Sequence, residues 1–106
     1  MYVVIRKDLK PGLMLAQGIH AAILFNDEHS EIAKEWHQQS DYLAVLEAQN
    51  EAELLYFIDM ASADGIKYSV FREPDLNNQI TAATFEPGER TKRMLRLLPL
   101  AMKDLK

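Results

Sequence analysis

Two short segments of this 106-residue chain gather more titratable and hydrogen-bonding side chains than packing alone requires. The first is Gln17 and His20, three residues apart in an apolar stretch; in a helix they share a face with Leu13 and Leu24. The second is Arg72-Glu-Pro-Asp-Leu-Asn-Asn-Gln79, which places Glu73, Asp75, Asn77, Asn78 and Gln79 between two strand-like runs. Imidazole, carboxylate and amide groups suit proton transfer and the holding of a water or an oxyanion. Each segment also has a plainer reading. A histidine among alanines is commonly a hydrogen-bonded core residue, and Pro, Asp and Asn are what turns use. Other chemistries are excluded. No cysteine is present, so thiolate nucleophiles, disulfides and thiolate zinc sites are absent. His20, His29 and His37 have no pair at the i,i+4 spacing of helix metal ligands, and no metal site is expected. Glycines 12, 18, 65 and 88 are too scattered for a phosphate loop, and Ser30, Ser40, Ser62 and Ser69 lie in no nucleophile-elbow context.

The elements that must position these residues follow from periodicity and punctuation. Tyr2–Arg6 reads as a buried strand, and Pro11 suits the first positions of the next helix. That helix runs from Leu13 to about Phe25, with Met14, Gly18, Ala21 and Phe25 as a buried stripe that Leu15, Ile19, Ala22 and Ile23 are expected to widen. Asn26-Asp27 should interrupt it, and Ser30 can cap a continuation through Ile32, Ala33 and Trp36. Tyr42–Glu47 is a second strand. Asn50 caps a helix with Ala52, Leu55, Ile58 and Met60–Ala61 inward, closed by Asp64-Gly65. Lys67–Arg72 and Gln79–Phe85 are further strands, and a basic helix runs from Arg90 to about Leu98. The order β-α-β-α-β-β-α predicts an α/β fold with a mixed sheet, its last two strands antiparallel because their connection is too short for a crossover.

Length allows one domain over residues 1–106. No apolar run approaches the roughly 18 residues that span a bilayer, and Arg6, Lys7, Asp8 and Lys10 interrupt any N-terminal leader, so a cytoplasmic protein without membrane association is expected. The net charge of −4 is unevenly distributed. Residues 1–26 carry +2, residues 27–64 carry −9, residues 65–87 carry −1 and residues 88–106 carry +4. A fold that joined the two ends would have a basic face on an acidic body. The plainer reading is that both charge sets solvate helix surfaces.

The opening strand, the Asp8-Leu9-x-x-Gly12 turn, the motif Ala16-Gln17-x-x-His20-Ala21-Ala22 and Gln79-Ile80 before a threonine-bearing strand resemble the archaeal and eukaryotic-type peptidyl-tRNA hydrolases, the second structural class. The resemblance covers nearly the whole chain in order. It implies a three-layer α/β/α sandwich with a four-stranded mixed sheet, and hydrolysis of the ester between a peptide and the 3′ ribose of tRNA, without a cofactor. Carried over by position, Gln17, His20, Asp75, Gln79 and Thr81 fall on the family's site residues. Leu13 stands where the family has a lysine, and Lys10, three residues earlier, is the expected substitute. The loop reads Glu-Pro-Asp-Leu-Asn-Asn where the family reads Asp-x-Gly-x-Thr.

On this reading Asp75 or His20 is the base, Gln79 and Thr81 orient water or donate to the oxyanion, and Gln17 fixes the imidazole. Gln17 and His20 should be accessible at a cleft mouth opposite residues 73–81. Lys7, Arg72, Arg90, Lys92, Arg93 and Arg96 are the expected contacts to tRNA phosphates, and the acidic middle should face away. The partner is peptidyl-tRNA, and a homodimer is allowed. A second reading keeps the fold as a module that binds RNA or protein without turnover.

Overall fold

The computed structural model describes residues 1–103; Asp104 and Lys106 of the basic tail lie outside them. Strand β1 (Tyr2–Arg6) is buried along its length. A β-branched run takes that place because helices cover both faces of the sheet. Helix α1 (Pro11–Glu28) opens with Pro11 in its first turn, where the missing N–H costs nothing. Helix α2 (Ser30–Gln39) leads to β2 (Ala44–Ala48) and then α3 (Glu51–Asp64). Strand β3 (Tyr68–Glu73), a single 3₁₀ turn (Pro74–Leu76), β4 (Gln79–Phe85) and α4 (Glu89–Met94) complete the order.

The sheet order is β2-β1-β4-β3. β1 and β2 are parallel, whereas β4 is antiparallel to both β1 and β3, so the sheet is mixed as expected. Alternation along β1 divides the core. Val3 and Ile5 meet Met14, Ala21 and Ala82 beneath α1. Tyr2 and Val4 meet Leu54, Ile58, Ala61, Ala83, Phe85 and Leu95 beneath α3 and α4. This is the three-layer α/β/α sandwich. At Gly18, α1 comes so close to β1 that an added Cβ would stand 3.0 Å from the Ile5 methyl group.

Several boundaries differ from those read in the sequence. α1 runs through Asn26-Asp27 and breaks at His29, whose Nε2 lies 3.0 Å from the Tyr68 carbonyl oxygen. Ser30 is therefore inside α2 and caps nothing. Residues Tyr42 and Leu43 precede β2 and are exposed. Asn50 does cap α3, its Oδ1 accepting the Glu53 N–H at 3.0 Å, and Gly65 does end it in the left-handed region at φ 70°. The buried α3 stripe is Leu54, Ile58 and Ala61, so Leu55 faces outward. α4 stops at Met94, and the chain turns so that Pro99–Ala101 runs beside the outer edge of β2.

The widest departure is on α1. Leu15, Ile19 and Ile23 are 56%, 60% and 63% exposed, not buried. α1 lies across β4, β3 and β1, which leaves its flank toward β2 uncovered. There Leu15 and Ile19, together with Leu43 and Val45, form an open apolar groove. Among the described residues no helix is long and apolar enough to cross a membrane.

Candidate active site

Strict alternation along β4 would put Thr81 on the α3 face with Ala83 and Phe85. A bulge prevents this. Phe71 pairs with Ala82 and Arg72 with Ile80, so Thr81 is the extra residue. Such a bulge re-aims the side chains that follow it. Ile80 joins the core on the α3 side, while Thr81 turns to the α1 face and donates its hydroxyl to Gln17 Oε1. Gln17 Nε2 in turn donates to Glu73 Oε1 at 2.9 Å, and Glu73 Oε2 accepts the Asp75 N–H at 3.2 Å. Helix, strand and loop thus meet in one chain of hydrogen bonds.

The consequence is electrostatic. The Gln17 amide, followed by the Asp75 N–H, holds the Glu73 carboxyl below its ordinary value, with a smaller contribution from His20 and desolvation opposing. Each carboxylate oxygen uses one lone pair in these contacts and retains another. Glu73 is half-buried, so a water has a route to it. An ionised, oriented carboxylate beside an exposed imidazole can hold a water and take its proton.

Beside this cluster, β1 ends in a second network. Arg6, which is buried, donates from Nε and Nη2 to the two Asp8 oxygens at 3.0 and 2.8 Å. Its Nη1 reaches Gln79 Oε1 at 2.9 Å and the Ile80 carbonyl oxygen at 3.2 Å. The Ile80 N–H donates to Glu51 at 2.8 Å. Pairing of β1 with β4 stops at Ile5 and Ala82, and beyond it Arg6 and Glu51 satisfy the next peptide groups with side chains. The Arg6 bonds tie the β1–α1 turn to the start of β4, and the Glu51 bond ties the first turn of α3 to it.

The positions of the sequence-derived residues are therefore mixed. Gln17 and Thr81 come together, but Gln17 is only 1% exposed and does not line a cleft mouth. Nor does it hold His20; its amide is committed to Glu73 and Thr81. His20 is exposed and lies flat on the Phe71 ring. Gln79 is engaged by Arg6 rather than by Gln17. Asp75 sits exposed in the 3₁₀ turn, joined to the cluster through its backbone. Lys10 precedes α1 with an exposed side chain, and Lys7 and Arg72 are exposed near the same end of the sheet.

Arg90, Lys92, Arg93 and Arg96 lie elsewhere. α4 follows the end of β4 that pairs with Tyr2, and Arg90 donates to the Asp64 carbonyl at the close of α3. This is the opposite face and the opposite end of the sheet from Thr81. The fold does not merge the two basic ends into one face.

Arg6 and Phe71 were not among the site residues expected from the sequence, and Glu73 stood there behind Asp75 as a candidate base. Arg6 carried a signal, since a charged residue closing a buried apolar strand needs a partner, and Asp8 is two residues away. Glu73 was one polar residue among five in its loop, and its partner Gln17 is 56 positions distant. The three histidines have separate partners, Phe71, Tyr68 and Asp41, and among the described residues no cluster of His, Asp and Glu side chains could hold a metal ion.

No curated protein matches the chain. Residues 1–96, which include every element and contact described for the site, match the family model for peptidyl-tRNA hydrolase PTH2. With nine-tenths of its length matched, the chain belongs to the peptidyl-tRNA hydrolase PTH2 family.

Proposed function

We propose that this protein hydrolyses the ester linking a peptide, or an N-blocked aminoacyl group, to the 3′-terminal ribose of tRNA, in the cytoplasm where translation leaves such molecules. The observation that carries the reading is the Gln17–Glu73 hydrogen bond, which fixes a carboxylate of the 73–81 segment beside the helix that carries His20. Family membership supports the substrate class.

Glu73 holds a water and accepts its proton as the water oxygen bonds to the ester carbonyl carbon. The carbonyl oxygen becomes an oxyanion, which the Lys10 ammonium on the β1–α1 turn stabilises. When the tetrahedral intermediate collapses, the bond to the ribose oxygen breaks. The proton held by Glu73 passes to that oxygen, leaving a free peptide and a tRNA hydroxyl. Gln17 and Thr81 act by positioning Glu73, and Asp75 does so through its N–H. Gln79, held by Arg6, fixes the entry to β4. Glu73 takes the role of base in preference to Asp75 because it is the carboxylate held at both oxygens. Lys7, Lys10 and Arg72 supply the nearest cations for the phosphates of the acceptor strand.

A metal-stripped preparation given N-acetylated aminoacyl-tRNA should release the acetylated amino acid catalytically. Binding of the tRNA with no release would favour the non-catalytic module, to which Leu13, an uncharged residue in the first turn of α1, lends its weight.

A further inference from the structure

His20 has one use for its ring inside the protein, and that use is stacking. Its imidazole lies over Phe71 with ring centroids 4.4 Å apart and planes 7° from parallel. Among the described residues it takes part in no hydrogen bond, and it is exposed. Beside it is an open depression of about 460 Å³ lined by His20, Ile23, Leu24, Asn26, Asp27 and Phe71. That volume lies within the range of small-ligand sites, about 300–1,000 Å³.

The chemistry of the lining is specific. Two stacked rings and two aliphatic side chains offer a flat apolar floor. Asn26 and Asp27 stand about two helical turns beyond His20, where they add hydrogen-bonding groups on one side. A flat heterocycle with a polar edge fits this arrangement, because aromatic side chains stack bases of any sequence and amide or carboxylate groups meet their edges. Asp27 also opposes a phosphate nearby, which selects the end of a chain over its interior.

We propose that His20, backed by Phe71, is a stacking platform for the terminal nucleobase of an RNA 3′ end, with Asn26 and Asp27 facing the edge of that base. This rests on the peptidyl-tRNA reading above and deepens it. His20 lies one helical turn from Gln17, so a base stacked there leaves its ribose on the side of Glu73. His20 is then a binding residue, not the proton acceptor.

The test uses the whole protein and a cytidine-cytidine trinucleotide ending in 2-aminopurine riboside, whose fluorescence is quenched on stacking. Titration of wild type should quench the probe, and the same trinucleotide with an abasic 3′ end should compete poorly. His20→Ala should weaken binding by about 5- to 150-fold, the range for loss of one base–aromatic stack. His20→Phe, which keeps a flat ring and removes both nitrogens, should bind within about threefold of wild type. Equal binding by wild type and His20→Ala, or His20→Phe as weak as His20→Ala, would overturn the platform. Equal competition by the abasic trinucleotide would overturn it too, since only the phosphates would then be read. Hydrolysis without base-dependent quenching would remove the platform and leave the hydrolase reading intact. Quenching that meets all three criteria in a protein without hydrolysis would do the reverse.

Discussion

Gln17 is spent inside the protein, with its carbonyl oxygen on Thr81 and its amide on Glu73. Its removal should therefore be felt through Glu73. In Gln17→Leu the hydrogen bond that most lowers the Glu73 pKa is gone, so that pKa rises toward the ordinary carboxylate value. A base works only when deprotonated, and the acid limb of kcat/KM follows its pKa. The limb should move to higher pH in Gln17→Leu, read from the pH profile, with a wild-type limb below the ordinary range. Thr81→Val removes the hydroxyl and leaves Gln17 Oε1 buried without its donor. The expected cost is about 1–3 kcal/mol of stability, measured by urea unfolding. The motif around Gln17 and His20 was legible as residues that could do chemistry. Their partners were not, because hydrogen-bond partners 56 and 64 positions away leave no mark on local spacing.

Element by element, local punctuation was the readable part. The span of β4, the Asn50 cap and the Gly65 termination match their sequence signals because each depends on a few adjacent residues. What failed needed knowledge of neighbours. Leu15, Ile19 and Ile23 look like core on a helical wheel, but the position of α1 over β4, β3 and β1 decides which flank is covered. The bulge at Thr81 is likewise invisible to a period of two. Two glycines of α1 test the packing. Gly18→Val should destabilise by about 1–3 kcal/mol, since a Cβ there already stands 3.0 Å from a methyl group of buried Ile5. At Gly12 nothing lies within 4 Å, and Gly12→Ala should be neutral or stabilise by up to about 1 kcal/mol through helix propensity. Thermal or urea unfolding of the pair distinguishes crowding from propensity. Thr84 offers a complementary case, for its buried hydroxyl lacks a partner among the described residues. Thr84→Val should leave stability unchanged or raise it.

For the whole molecule, the charge pattern was legible as sums but not as a surface. The basic N-terminal turn lies at the Thr81 end of the sheet, whereas the basic helix α4 packs beside the close of α3 at the other end. On the proposed reading, a tRNA acceptor end seated over Glu73 would meet Lys7, Lys10 and Arg72 first. Removing one of these charges should lower the slope of log binding constant against log salt by about 0.7–0.9 if it touches a phosphate. Arg93→Ala, in α4, should change the slope less than Lys10→Ala, as measured by filter binding or fluorescence anisotropy across a salt series. The reverse order would place the RNA on the α3 and α4 face and move the site with it.

The central claim is that Glu73, held by Gln17, is the group that activates water for ester hydrolysis. The most direct measurement is single-turnover release of an acetylated amino acid from its tRNA by wild type, Glu73→Gln and Asp75→Asn, with tRNA affinity measured in parallel. The predicted result is turnover by wild type, a loss of about 10²- to 10⁴-fold in Glu73→Gln at unchanged affinity, and a much smaller loss in Asp75→Asn. Full activity in Glu73→Gln, with the large loss in Asp75→Asn, would contradict the account and give the role of base to the aspartate of the turn.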